Sequence, residues 1–118
     1  MGSVKKITYK GKEIIYCDYR DCSEEEMIQL LEQGQAMVLH DNRKTLQLTN
    51  ITRAYATRKF TARANDVGKT IKHLTQKEAI IGITAAKKVL FRTYNLIMGG
   101  VVRAFDTEEE AKEWLVEE

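Results

Sequence analysis

The sequence predicts a single α/β domain over residues 1–118, with a mixed, mostly parallel sheet and the element order β-β-α-β-α-β-α-β-α. Three observations carry this. Short β-prone runs alternate with helical spacing from about Asp18 onward, which favours parallel strands joined by helical crossovers. Two capping boxes, Ser23 with Glu26 and Thr107 with Glu110, open acid-rich helices directly after apolar runs. The chain of 118 residues fits one domain and buries enough surface to need no disulfide or metal staple.

The first two strands are Ile7-Thr8-Tyr9 and Glu13-Ile14-Ile15-Tyr16-Cys17-Asp18-Tyr19, joined at Lys10-Gly11-Lys12 as a hairpin on one sheet edge. From Ser23 to about Asp41 the positions Met27, Leu30, Leu31, Met37 and Val38 keep helical spacing, and Asp41-Asn42 breaks it. Thr45 to Asn50 alternates as a strand and leads into a polar turn, Asn50-Ile51-Thr52-Arg53. A second helix spans about Thr57 to His73, with Phe60, Ala64, Val67 and Ile71 on one face. Its opposite face carries Arg58, Lys59, Arg63, Lys69 and Lys72. Glu78 to Thr84 is nearly continuous and apolar, as a strand covered on both faces requires. Residues Ala85 to Met98 make a third helix stopped by Gly99-Gly100, Val101 to Phe105 the last strand, and the Trp114 segment the last helix. The expected core includes Ile15, Leu30, Leu48, Ile81, Ile83, Val89 and Trp114.

Net charge is only +2, yet unevenly spread. Between Arg43 and Arg103 lie thirteen basic residues against Asp66 and Glu78, so the middle carries +11 and the two ends together −9. Packing basic elements against acidic ones neutralises such a pattern; left unpaired, it forms an interaction surface. Nucleic acid is disfavoured as a partner, because no aromatics interleave with the basic helix face.

Catalytic chemistry finds no footing. His40 and His73 stand far apart, each reading as a helix-end residue, and no nucleophile motif or phosphate-cradling glycine loop occurs. No ligand spacing for a metal is present and no cofactor is expected. Cys17 and Cys22, with no export signal evident before them, are expected as reduced thiols of a cytoplasmic protein. No apolar run approaches the ~20 residues of a membrane-spanning helix.

The element order, together with Phe105-Asp106-Thr107-Glu108-Glu109-Glu110-Ala111-Lys112-Glu113-Trp114-Leu115, resembles the SpoIIAA-like proteins of the STAS superfamily. The stretches Tyr16 to Met27, Leu46 to Thr52 and Ile80 to Leu96 fit the same pattern, so the resemblance covers nearly the whole chain. It implies a STAS-like domain that binds partners or small apolar ligands and is rarely an enzyme. In the sporulation anti-anti-sigma factors a serine at a helix start, in an Asp-Ser-Ser-Gly-like turn, is phosphorylated. The matching turn here is Asn50-Ile51-Thr52-Arg53, where Thr52 is the one hydroxyl in register for such a switch. Other relatives, similar in shape to the CRAL-TRIO lipid-transfer domains, contact apolar ligands or membranes near mobile helices.

The third helix carries the strongest binding signal. Ala86, Val89, Leu90, Thr93 and Ile97 supply a core-facing stripe, while Phe91, Tyr94 and Met98 form a second stripe beside Lys87, Lys88 and Arg92. That second stripe is the expected face for a small apolar ligand, a protein partner or an anionic membrane surface, with Arg58, Lys59 and Arg63 as an auxiliary basic face. The expected function is a non-enzymatic binding module, with a homodimer among the arrangements it allows. A regulatory switch phosphorylated at Thr52 is the alternative.

Overall fold

A computed structural model describes residues 2–117; the expected domain bounds of 1–118 reach one residue past these at each end. The strands are β1 (Ser3–Tyr9), β2 (Lys12–Asp18), β3 (Thr45–Asn50), β4 (Thr75–Ile81) and β5 (Val102–Phe105). The helices are α1 (Glu24–Asp41), α2 (Arg58–Ile71), α3 (Lys88–Ile97) and α4 (Glu108–Val116). One five-stranded sheet takes the order β1-β2-β3-β4-β5, with β1 antiparallel to β2 and every later pair parallel.

This sequential strand order decides the layering. Crossovers of one hand between successive neighbours lay every connecting helix on the same side of a sheet. Accordingly α1, α2 and α3 share one face, where Val38, Val67, Ile71 and Met98 pack on Ile15, Ile80 and Val102. The other face is left to α4, whose Ala111 and Leu115 cover Leu46, Leu48, Ala79 and Ile81. β4 is thus covered on both sides, as its apolar run requires.

Local chemistry fixes the helix ends. Ser23 closes a full capping box on α1, accepting from the Glu26 N–H while the Glu26 carboxylate accepts from the Ser23 N–H. Asn42 ends that helix in the left-handed conformation, with φ of 50°. Thr57 caps α2 through the Phe60 N–H. At α4 the Thr107 hydroxyl accepts from the Glu110 N–H and donates to the Glu110 carboxylate, a variant of the expected box.

Several expectations shift. β4 begins at Thr75 and ends at Ile81, three residues before the anticipated span at either end, because Gly82 leaves the extended region at φ of 98°. A Cβ on Gly82 would lie 2.5 Å from the Thr52 nitrogen, so glycine is needed where the β4 exit crosses the turn after β3. α2 gives way to a 3₁₀ turn over Lys72–Leu74, and α3 is preceded by another over Ala85–Lys87.

The largest correction concerns the rotation of α3. Val89, expected in the core, is 66 % exposed, and Ala86 and Thr93 are exposed with it. The inward set is Leu90, Phe91, Tyr94 and Ile97, with Met98 at the C-cap 2 % exposed. Burying two aromatic rings and a methionine removes more apolar surface from water than burying Ala86, Val89 and Thr93, so the larger stripe wins the core. Met98 therefore packs inside rather than on a ligand or membrane face, beside Gly68 of α2, whose missing side chain lets α3 approach closely. Leu30, Ile83 and Trp114 are half-buried, whereas Ile15, Leu48 and Ile81 are in the core. Trp114 contacts the Phe105 ring, at 5.4 Å between centroids, and the cations of Lys77 and Arg103 approach its ring.

Packing neutralises part of the uneven charge. Lys6–Asp41, Arg43–Glu13, Arg53–Asp21 and Arg63–Glu32 each join a basic to an acidic group, three of them between the basic middle and the acidic ends. Arg63 is thereby withdrawn from the free basic face of α2, while Arg58 and Lys59 remain exposed.

Two substitutions check this packing. Ile81→Ala, in the doubly covered strand, lowers unfolding free energy by about 2–5 kcal/mol through lost burial and a residual cavity. Val89→Ala, on the outward side of α3, changes it by no more than about 0.5 kcal/mol. Urea denaturation of both variants is the measurement; a large loss at Val89 contradicts the rotation of α3 described above.

Candidate functional site

The strands' alternation builds the site. Leu46 and Leu48 of β3 face α4, which turns Gln47 and Thr49 toward α1–α3. By the same period Ala79 and Ile81 of β4 face α4, and Glu78 and Ile80 face the three-helix side. A polar row therefore lies beneath helices whose inner faces are apolar. Where α1, α2 and α3 do not close fully on the sheet, a cavity of about 130 Å³ remains. Its wall is mainly Leu31, Val38, Phe60, Val67, Leu90 and Phe91.

Glu78 is the chemical centre of this cavity. Only 4 % exposed, its carboxylate accepts from the Tyr94 hydroxyl at 2.7 Å and from the Thr49 hydroxyl at 3.1 Å, one on each oxygen. Burial disfavours the charged form more than these two hydrogen bonds restore it, and the carboxyl is pushed up to about 7. The Tyr94 and Tyr19 hydroxyls are raised well above the ordinary tyrosine range, chiefly by desolvation. Cys17, also in the wall, is pushed up to about 12 by burial, which makes its thiol unreactive at neutral pH.

Fully buried side-chain polar atoms around the site are satisfied within the protein, with one exception. Gln47 donates both amide hydrogens, to the Thr45 and Thr75 hydroxyls at 2.9 Å each. Those hydroxyls in turn donate to the Leu74 and Ile71 carbonyls. The exception is Asn65 of α2, which lines the cavity and whose Oδ1 is buried with no hydrogen-bond partner. Lys87 also contributes to the lining. Its ammonium donates to the Ile51 carbonyl at 3.0 Å and the Gly82 carbonyl at 3.3 Å, the groups that follow the ends of β3 and β4. Partial burial lowers its affinity for a proton. The site thus lies toward the carboxyl ends of parallel strands, a common position for ligands in α/β folds.

The sequence-derived site residues divide accordingly. Lys87, Phe91 and Tyr94 come together at the cavity, Met98 is in the core, and Lys88 and Arg92 are on the exposed outer side of α3. Thr52 is half-buried in the turn after β3, where its N–H donates to the Asn50 side chain. It does not head α2: the N-cap there is Thr57, whose hydroxyl also donates to Glu24 of α1. Glu78, Thr49, Gln47 and Asn65 were not singled out as site residues. The available signal was the polar phase of β3 beside a glutamate in the apolar β4 run. Among the described residues no group of three or more histidine, cysteine and carboxylate side chains is placed to hold a metal.

With this geometry the chain has a SpoIIAA-like fold. It is similar to an uncharacterized protein of the DUF3478 family from Shewanella loihica PV-4 with a SpoIIAA-like fold, at a TM-score of 0.66 and 18% sequence identity. The alignment covers 97% of this chain and 93% of that one. No protein-family model matches the sequence, and no curated protein matches it.

The buried carboxyl has a consequence for stability against pH. Glu78 holds its proton up to about 7 in the fold but only to the ordinary 4.5 when unfolded, so the native state binds that proton more tightly. Its stabilising contribution is full below pH 4.5 and is lost as pH rises through 7, an effect of roughly 3 kcal/mol. Urea titrations of wild type and Glu78→Gln across this window should therefore diverge, the wild type weakening relative to the variant as pH rises. Parallel profiles would contradict a buried, proton-retaining Glu78.

Proposed function

We propose that this protein is a non-catalytic binding module that holds a small apolar molecule between its sheet and α1–α3. The observation that carries this reading is the cavity itself: about 130 Å³, walled mainly by aliphatic and aromatic side chains, with a few fixed polar groups at one side. Ligand sites commonly combine these features. An apolar cavity of similar size, about 150 Å³, suffices to take up one benzene ring.

The test uses toluene as the probe. At roughly 10–30 times its Kd, a ligand that binds only the native state adds about 1–2 kcal/mol of stability, read as a rise in Tm. Ala64→Phe, which fills the cavity from α2, should abolish that rise while retaining the native circular dichroism spectrum. Native mass spectrometry of freshly purified protein then reports any mass retained from the host. No toluene effect on the wild type, or an equal effect on the folded variant, contradicts the reading.

A second reading has its own observation. On the outer side of α3, Val89 is 66 % and Leu96 81 % exposed, beside the exposed Lys88 and Arg92. Apolar side chains flanked by cations suit an anionic membrane surface. Binding to anionic but not neutral vesicles, weakened by salt and by Val89→Ser with Leu96→Ser, supports it; equal binding to both vesicle types contradicts it.

A further inference from the structure

The polar side of the cavity specifies more than apolar uptake. We propose that the cavity selects a small apolar amine, its ammonium held by the Glu78 carboxylate and the Asn65 Oδ1. This rests on the reading of the cavity as a small-molecule site.

The polar groups beside Glu78 have already committed their hydrogens. Gln47 uses both amide hydrogens on Thr45 and Thr75, and Thr49 and Tyr94 use their hydroxyl hydrogens on Glu78. To a guest Gln47, Thr49, Tyr94 and the ionised Glu78 therefore offer lone pairs rather than hydrogens. Asn65 adds a buried oxygen that lacks a donor. Among the described lining residues Glu78 is the one carboxylate and Lys87 the one cation, and the Lys87 ammonium is engaged by the Ile51 and Gly82 carbonyls. At the Glu78 side of the cavity the complementary guest brings hydrogens and positive charge. An ammonium has three donors and no acceptor, and it neutralises a carboxylate whose ionisation is otherwise penalised by burial. The rings of Tyr19, Phe60, Phe91 and Tyr94 also line the space, and aromatic faces attract cations. A carboxylate guest would face Glu78 with like charge; an alcohol or hydrocarbon would leave acceptors unmatched.

Proton linkage follows. Facing Glu78 are Thr49 of β3, Tyr94 of α3, Cys17 of β2 and Tyr19 just after that strand. The thiol is held to about 12 and both tyrosines well above their ordinary value, so none of these titrates between pH 5 and 8. α1 and α2 contribute Gln35 and Asn65 to the lining, which carry no titratable proton, and Lys87 lies before α3. Capture of an ammonium by Glu78 requires the carboxylate, so binding releases the Glu78 proton below pH of about 7.

Calorimetric titration with benzylamine, benzyl alcohol, toluene and sodium benzoate tests this on the full chain. At pH 7.5 benzylamine should bind at least about tenfold more tightly than benzyl alcohol or toluene, with benzoate weakest. At pH 5.5 the benzylamine affinity should fall by about tenfold or more while toluene is unchanged. Glu78→Gln should remove the amine preference and the pH dependence but keep toluene binding. Asn65→Ala, which leaves Glu78 in place, should reduce the preference several-fold, so the test does not depend on the folding of one variant. If toluene binds but benzyl alcohol or benzoate equals or exceeds benzylamine, the amine assignment is overturned and the apolar-ligand reading stands. If none of the four binds, both fall.

Discussion

The carboxyl of Glu78, buried on a strand covered on both faces, is the constraint around which the three-helix side of the sheet is arranged. A carboxyl removed from water costs several kcal/mol unless hydrogen bonds replace its hydration. Here the replacements come from two different elements, Thr49 of the neighbouring β3 and Tyr94 of α3. The Tyr94 bond ties α3 to the sheet at a level where the helix otherwise presents only half-buried apolar side chains. The rotation that turns Phe91 and Met98 inward also brings the Tyr94 hydroxyl to Glu78, the one carboxylate among the described lining residues.

Two glycines allow the elements around this group to close. Gly82 lets the chain leave β4 across the backbone of Thr52, so the ends of β3 and β4 lie together and their following carbonyls share Lys87. Gly68 lets α2 and α3 approach through Met98 and Tyr94. What these contacts leave open is bounded by apolar walls and a polar row, the composition expected of a pocket that orients a guest through a few polar contacts. The opposite face, packed by α4 against Leu48, Ala79 and Ile81, supplies a continuous hydrophobic core that does not include the polar row.

Much of this architecture is legible in the sequence because it rests on short-range chemistry. Ser23, Thr57 and Thr107 each cap a helix by bonding a backbone N–H three residues on, and the alternation of Thr45 to Asn50 gives β3 its full span. The site was less legible. The rotation of α3 depends on which of two apolar stripes meets the sheet, and only the tertiary arrangement ranks them. Glu78 falls inside β4 rather than at its start, because three preceding residues, Thr75 to Lys77, extend the strand under the tail of α2. Its hydrogen-bond partners are 29 residues before and 16 residues after it, separations that no local pattern encodes. Thr52 shows the converse. Its polar turn is legible, but the residues between it and the Thr57 cap, folded by hydrogen bonds from the Ala54 N–H to the Ile51 carbonyl and from the Thr57 N–H to the Tyr55 carbonyl, separate it from the start of α2.

The ionisation of Glu78 inside an apolar cavity is the property on which the proposed ligand chemistry depends most directly. Carbon-13 NMR of the side-chain carboxyl, titrated from pH 3 to 9 with and without toluene, reads the ionisation and the access of a guest from one resonance. The account predicts a midpoint near the value of about 7 imposed by burial, and a carboxyl resonance that moves when toluene is added. A midpoint near the ordinary 4.5 with no response to toluene would contradict it.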